Sequence, residues 1–144
     1  MPNKLTVNGL YIGQEQSEVF DLYPNLKQEG WDPEFAVFQQ ELSPRIVLKD
    51  GRVHSVLEGT ELLVDERQIL GEGMSLASVL QVLSEPYKKR VGEYYSGQLD
   101  ESNSPIPHPA SPGIVLLLYR QYGHEIKIGC YRGPAVCSIS IRRL

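Results

Sequence analysis

The chain has no long hydrophobic run. Its longest, Ile114 to Tyr119, is of strand length, far short of the roughly 20 apolar residues of a membrane-spanning helix. The opening residues Met1 to Asn8 lack the apolar stretch of about 7–15 residues that a signal peptide carries. The expected location is therefore the cytoplasm, with an exported form whose leader has been removed as the alternative. Cysteine is scarce: Cys130 and Cys137 are too few for a disulfide framework. Positive charge is also short, 14 Lys and Arg against 18 Asp and Glu for a formal net charge of −4. That balance provides no general attraction to phosphate backbones or anionic lipid, so neither nucleic acid nor a membrane is expected as partner.

Catalytic and metal motifs are equally sparse. Gly71-Glu72-Gly73 precedes a helical pattern, but no lysine follows as in a phosphate-binding loop, and turn geometry accounts for both glycines. His54, His108 and His124 have no zinc-type spacing and no nucleophile elbow nearby. Glu15 with Glu18, and Asp100 with Glu101, read as solvated faces rather than a carboxylate pair across a cleft. The basic clusters Lys88-Lys89-Arg90 and Arg142-Arg143 read as surface that keeps the chain soluble. The expectation is a protein that is not an enzyme and carries no cofactor or metal.

What is present is enough for one core. A chain of 144 residues with 41% hydrophobic content can bury roughly two-thirds of its unfolded surface. Ten prolines and thirteen glycines favour many short elements over a few long helices. Gly13, Val19, Phe20, Leu22 and Tyr23 recur sixty residues later as Gly73, Val79, Leu80, Val82 and Leu83. In the second copy Ser75 can cap a helix that buries Leu76, Val79, Leu80 and Leu83. The first copy predicts a helix over about 16–22, with Val19, Phe20 and Tyr23 as its apolar set.

After each helix the periodicity falls to two, as in strands with one face inward. Arg45 to Lys49 and Arg52 to Val56 flank Asp50-Gly51, a type I′ hairpin signal. With that turn Leu48 faces Val53 and Ile46 faces Ser55, while His54 and Lys49 lie on the other side. Further strands are expected at 61–64, 91–95, 114–120, 125–131 and 135–142. The last repeats earlier wording, since Val53-His54-Ser55-Val56 reads against Val136-Cys137-Ser138-Ile139. Cys130 and Cys137 share the parity of the neighbouring isoleucines; buried thiols are favoured over a disulfide or a half metal site. Two stretches interrupt the copies, Gly30 to Phe35 and the proline-rich Gly97 to Gly113, the latter read as a flexible surface loop.

The order of these motifs resembles a known family. A glycine-led short helix ending near a proline, followed by a meander that closes on Asp50-Gly51-Arg52-Val53-His54-Ser55-Val56, is similar to the repeat of the β-lactamase-inhibitor-protein family. It also resembles the single repeat of the small outer-membrane lipoproteins of barrel assembly. Glu72 to Pro86 with Val136 to Ile139 supplies the second copy. The resemblance implies an α+β fold of two tandem short-helix-plus-antiparallel-meander repeats forming one curved sheet with helices on one face. It implies a face that grips another protein, without catalysis. On this reading residues 1–144 form a single domain, with repeat one at about 8–66 and repeat two at about 67–144.

Aromatic residues give the functional lean. Trp31, Phe35, Tyr94, Tyr95, Tyr119 and Tyr122, with His108 in the loop, are the expected partner-binding residues on the exposed sheet face and beside the irregular stretches. Large amphipathic rings are the usual anchors of protein interfaces; filling the core or capping its rim is the competing use. The expected function is a non-catalytic protein-binding module of inhibitor, immunity or assembly-factor type. The alternative is a small-molecule-binding protein or small enzyme with a pocket between the repeats, where His54 or His124 would meet polar groups. A homo-oligomer joined through strand edges is a third reading that no residue selects, and the oligomeric state is not legible.

Overall fold

The computed structural model describes residues 4–29, 35–39, 44–92, 95–107, 114–130, 136 and 138–144. In chain order the elements are β1 (Leu5–Val7), α1 (Gln16–Leu22), β2 (Lys27–Glu29), β3 (Ala36–Gln39), β4 (Arg45–Lys49) and β5 (Arg52–Gly59). Then come β6 (Glu61–Val64), β7 (Arg67–Gly71), α2 (Leu76–Leu83), β8 (Lys88–Gly92) and β9 (Tyr95–Leu99). The chain closes with β10 (Pro105–Pro107), β11 (Ile114–Gln121), β12 (His124–Cys130) and β13 (Ser138–Arg143). The fold is α+β with antiparallel sheets.

The described strands form three sheets rather than the single sheet expected. The largest has eight strands in the order β2-β3-β4-β5-β13-β12-β11-β8; β1-β6-β7 make a second sheet and β9-β10 a third. Glu61–Val64 is the strand that the periodicity predicts, but it does not join the eight-stranded sheet. It pairs instead with β1 and β7. A turn at Thr60 separates it from β5, and Asn8 holds that turn by accepting from the backbone amides of Thr60 at 2.9 Å and Glu61 at 3.2 Å.

Asp50-Gly51 forms the predicted hairpin, with positive φ at both residues, 53° and 73°. Leu48 faces Val53 as expected, but the register then shifts and Ile46 faces Val56, not Ser55. A bulge at His54 inserts one residue and inverts the parity after it. Val53 and Val56 both point into the core in consequence. The Gly97–Gly113 insertion contains a hairpin within its described part, β9 to β10, where an irregular loop was expected. Asp100 organises its turn by accepting from Ser102 N at 2.8 Å, Ser102 Oγ at 2.7 Å and Ser104 N at 3.0 Å.

One core joins the layers. Ile46, Leu48, Val56, Ile126, Ile128, Ile139 and Ile141 from one face of the large sheet pack in a single cluster with Leu5, Val7, Leu10, Leu62 and Leu70 from the β1 region and small sheet, and with Val19, Val79 and Leu83 from the helices. Ser75 caps α2, its Oγ accepting from Ser78 N at 3.2 Å. Val79 and Leu83 are buried, whereas Leu80, expected to be inward, is 38% exposed. A helix of two turns touches the core along a narrow stripe, and Leu80 lies beside it. The far end of α2 is held by the sheet, since Tyr119 Oη donates to Ser84 O at 2.9 Å and Gln121 Nε2 donates to Leu83 O. Tyr119 is only 1% exposed. Burial, and then the charge of Glu85, raise its phenol pKa.

Candidate functional site

Alternation sends every second residue of the large sheet away from the core. Register then aligns these outward residues into rows. Lys88 lies opposite Leu118, Leu118 opposite Lys127, and Lys127 opposite Ser140. In the neighbouring row Arg120 faces Glu125, Glu125 faces Arg142, and Arg142 faces Ser55. Arg90 faces Leu116 along the edge. Lys88, Arg90, Arg120 and Arg142 are exposed on this face.

The face has a floor and walls. Ser55, Ser138 and Ser140 are buried although they point outward, because longer neighbours stand around them. A depression of about 410 Å³ opens here, where β5 meets β13, lined by His54, Leu57, Arg90, Leu118, Lys127 and Arg142 among others. Small side chains at the seam and long ones beside it make the hollow.

Electrostatics organise one side of it. Glu125 Oε1 accepts from Tyr87 Oη at 2.7 Å, and Oε2 accepts from Arg142 Nη2 at 2.8 Å. The Arg120 guanidinium sits 4.2 Å from the centroid of the Tyr87 ring, within cation–π range. The Tyr87 hydroxyl, and after it the Arg142 guanidinium, hold the Glu125 carboxyl below its ordinary pKa. Glu125 is thereby kept as an anion that fixes the cations around it.

The expected site residues divide. Trp31, Tyr94 and His108 lie outside the described residues, as does Cys137, which was read as a buried thiol. Tyr95 opens β9, and its side chain is likewise outside them. Tyr119 is a correction: it sits in the core and caps α2, so it offers no surface to a partner. Its parity with Leu117, not its aromatic character, decides this. Tyr122 is half-buried against the core, with φ of 55° in the turn between β11 and β12. Phe35 remains near the open face, its ring 5.1 Å from His54 and 5.5 Å from Lys49 Nζ.

His124 Nδ1 lies 2.8 Å from Tyr122 O, a local turn contact, and His54 meets the Phe35 ring. Cys130 is fully buried. Among the described residues no group of three His, Cys, Asp or Glu is arranged to hold a metal ion, and no helix is long and apolar enough to cross a membrane, which says nothing of β-barrel spans. Tyr87, Glu125, Lys127 and Arg142 are the site residues that sequence reasoning missed. Their signal was the parity of Glu125 and Lys127 against Ile126 and Ile128; their meeting needed the register.

No family model matches the chain, and no curated protein matches it. The fold is similar to the crystal structure of a DUF4309 family protein, YjgB, from Bacillus subtilis, with a TM-score of 0.51 at 11% sequence identity, covering 94% of this chain and 83% of that one. At that identity the likeness concerns the fold alone.

Proposed function

We propose that the chain is a non-catalytic protein-binding module that holds its partner on the open face of the eight-stranded sheet. The observation that carries this reading is the asymmetry of that sheet: one face is buried in the core, while the other presents half-buried Leu57, Leu116 and Leu118 among charged side chains around the hollow at the β5–β13 seam. Apolar residues at a centre with a polar rim are the composition of a protein interface.

The same proposal includes duplication of a helix-plus-meander unit, as the sequence resemblance implies. Its support is a matched pair of hydrogen bonds. Gly13 N donates to Val53 O at 2.8 Å and Val53 N to Gln14 O at 2.9 Å; Gly73 N donates to Val136 O at 2.9 Å and Val136 N to Met74 O at 2.8 Å. Both glycines have left-handed φ, 89° and 87°. The strand order is compatible with two meanders joined at β5 and β13. On this reading the hollow marks the joint between the units.

A photo-crosslinking residue placed at Leu118, and separately at the exposed Leu80 on α2, tests the assignment in cells that express the chain. The reading predicts a discrete crosslinked protein from Leu118, suppressed by excess unmodified chain and absent from Leu80. Equal patterns from both positions would overturn it. The second reading, a small-molecule binder, draws on the volume of the hollow and on His54 at its rim. A metabolite that raises the melting temperature, together with no crosslinked protein, selects that reading instead; a ligand at about 100 times its dissociation constant stabilises by roughly 2.7 kcal/mol.

A further inference from the structure

Charge is distributed unevenly along this chain. β8, β11, β12 and β13 together carry seven of its fourteen Lys and Arg residues but one of its eighteen acids, Glu125. Five of the seven, Lys88, Arg90, Arg120, Lys127 and Arg142, occupy outward register positions on the open face. Glu125 is already engaged by Tyr87 and Arg142. Elsewhere Arg52 pairs with Glu15 at 3.2 Å and Arg45 with Glu58 at 4.0 Å. Lys88, Arg90 and Lys127 have no acidic partner among the described residues. An acidic chain thus displays a basic patch, and Leu116 and Leu118 stand between its cations.

We propose that the occupant of this patch is an acidic, amphipathic segment of a partner protein, with carboxylates on Arg90, Lys127 and Lys88 and apolar side chains on Leu116 and Leu118. This rests on the protein-binding reading above and specifies its partner. The row from Lys88 through Leu118 and Lys127 to Ser140 crosses four strands, about 14 Å at the usual spacing, more than a single small anion bridges. The leucines argue against nucleic acid, because phosphates gain nothing from them. The overall charge of −4 repels a polyanion at long range, whereas a short acidic segment meets mainly the local field within a Debye length.

Fluorescence anisotropy tests this with a labelled peptide of about eight residues, ample to span the row when extended, alternating Glu with Leu and Thr. Its comparators replace every Glu by Gln or by Lys, and a single-stranded oligonucleotide forms a further arm. The acidic peptide should bind at least about tenfold tighter than the Gln version, a difference of about 1.4 kcal/mol, and should weaken as salt rises. The Arg90→Glu/Lys127→Glu variant should lose the acidic peptide and gain the Lys version. If that variant does not fold, Arg90→Gln/Lys127→Gln should show the loss alone. Equal binding of the Gln peptide, unchanged affinity in the charge variants, or tighter binding of the oligonucleotide overturns the proposal. A protein crosslinked at Leu118 together with no preference for the acidic peptide overturns the acidic partner and leaves the protein-binding reading standing. Absence of both overturns the two together.

Discussion

On its covered face the large sheet carries Ile46, Leu48, Val56, Ile126, Ile128, Ile139 and Ile141, none more than 1% exposed. On its open face the sheet carries Lys127, Glu125, Arg142, Ser55 and Ser140, with Leu57 and, from β11, Leu118 among them. Backbone hydrogen bonding is shared by both faces; side-chain chemistry is not. A strand period of two lets one sheet hold the fold with half of its residues and leaves the other half free for recognition. Substitutions on the two faces should therefore separate stability from binding.

The largest effect is expected on the covered side. Ile128→Ala should destabilise by about 2–5 kcal/mol, as large-to-small changes in a packed core do, and denaturant unfolding measures it. A loss below about 1 kcal/mol would mean that the core is not closed around β12. Gly59→Ala comes next. An added Cβ there would overlap Val7 Cγ1 and press on Ile139 O, where β5 meets β13 and the small sheet packs on both. The expected cost is about 1–3 kcal/mol. Tyr119→Phe should cost about 1 kcal/mol by leaving the Ser84 carbonyl at the end of α2 without its donor.

Much of the covered face was legible in the sequence because it follows local rules. Asp50-Gly51 marks its turn, Ser75 caps its helix, and Ile126, Ile128, Ile139 and Ile141 alternate with polar residues. Pairings between distant segments were not legible. β5 and β13 meet across eighty or more residues of chain, and no local preference specifies that contact. The bulge at His54 escaped because it depends on which core positions must be filled on both sides of it. Ile114 to Tyr119 is apolar on both parities, so the inward place of Tyr119 and the outward place of Leu118 could be assigned only once β12 was paired alongside. The candidate site suffered most: Tyr87, Glu125 and Arg142 come from three segments, and only register brings them together.

On the open side the effects on stability should be small and dependent on pH. The folded pKa of Glu125 lies below its ordinary value of 4.5. Its ionised form therefore contributes stability above that value, and the contribution is lost as pH falls through the lower folded pKa. Tyr87 is 45% exposed, and solvent screening holds the contribution of this partly exposed network below about 1 kcal/mol. Thermal melts of Tyr87→Phe between neutral and acid pH should show a gentler acid decline than the parent. An unchanged acid limb would remove Glu125 from the organising role assigned to it.

The division of labour between the faces is tested most directly by Lys127→Glu, made in the chain that carries the crosslinker at Leu118 and scored for melting temperature and crosslinked protein in one preparation. An outward substitution should move stability by no more than about 0.5 kcal/mol, a shift of about 3 °C or less for a chain of this size, while the crosslinked partner disappears. A melting temperature that falls as far as that of Ile128→Ala, or a crosslinked partner recovered in undiminished yield, would contradict the account.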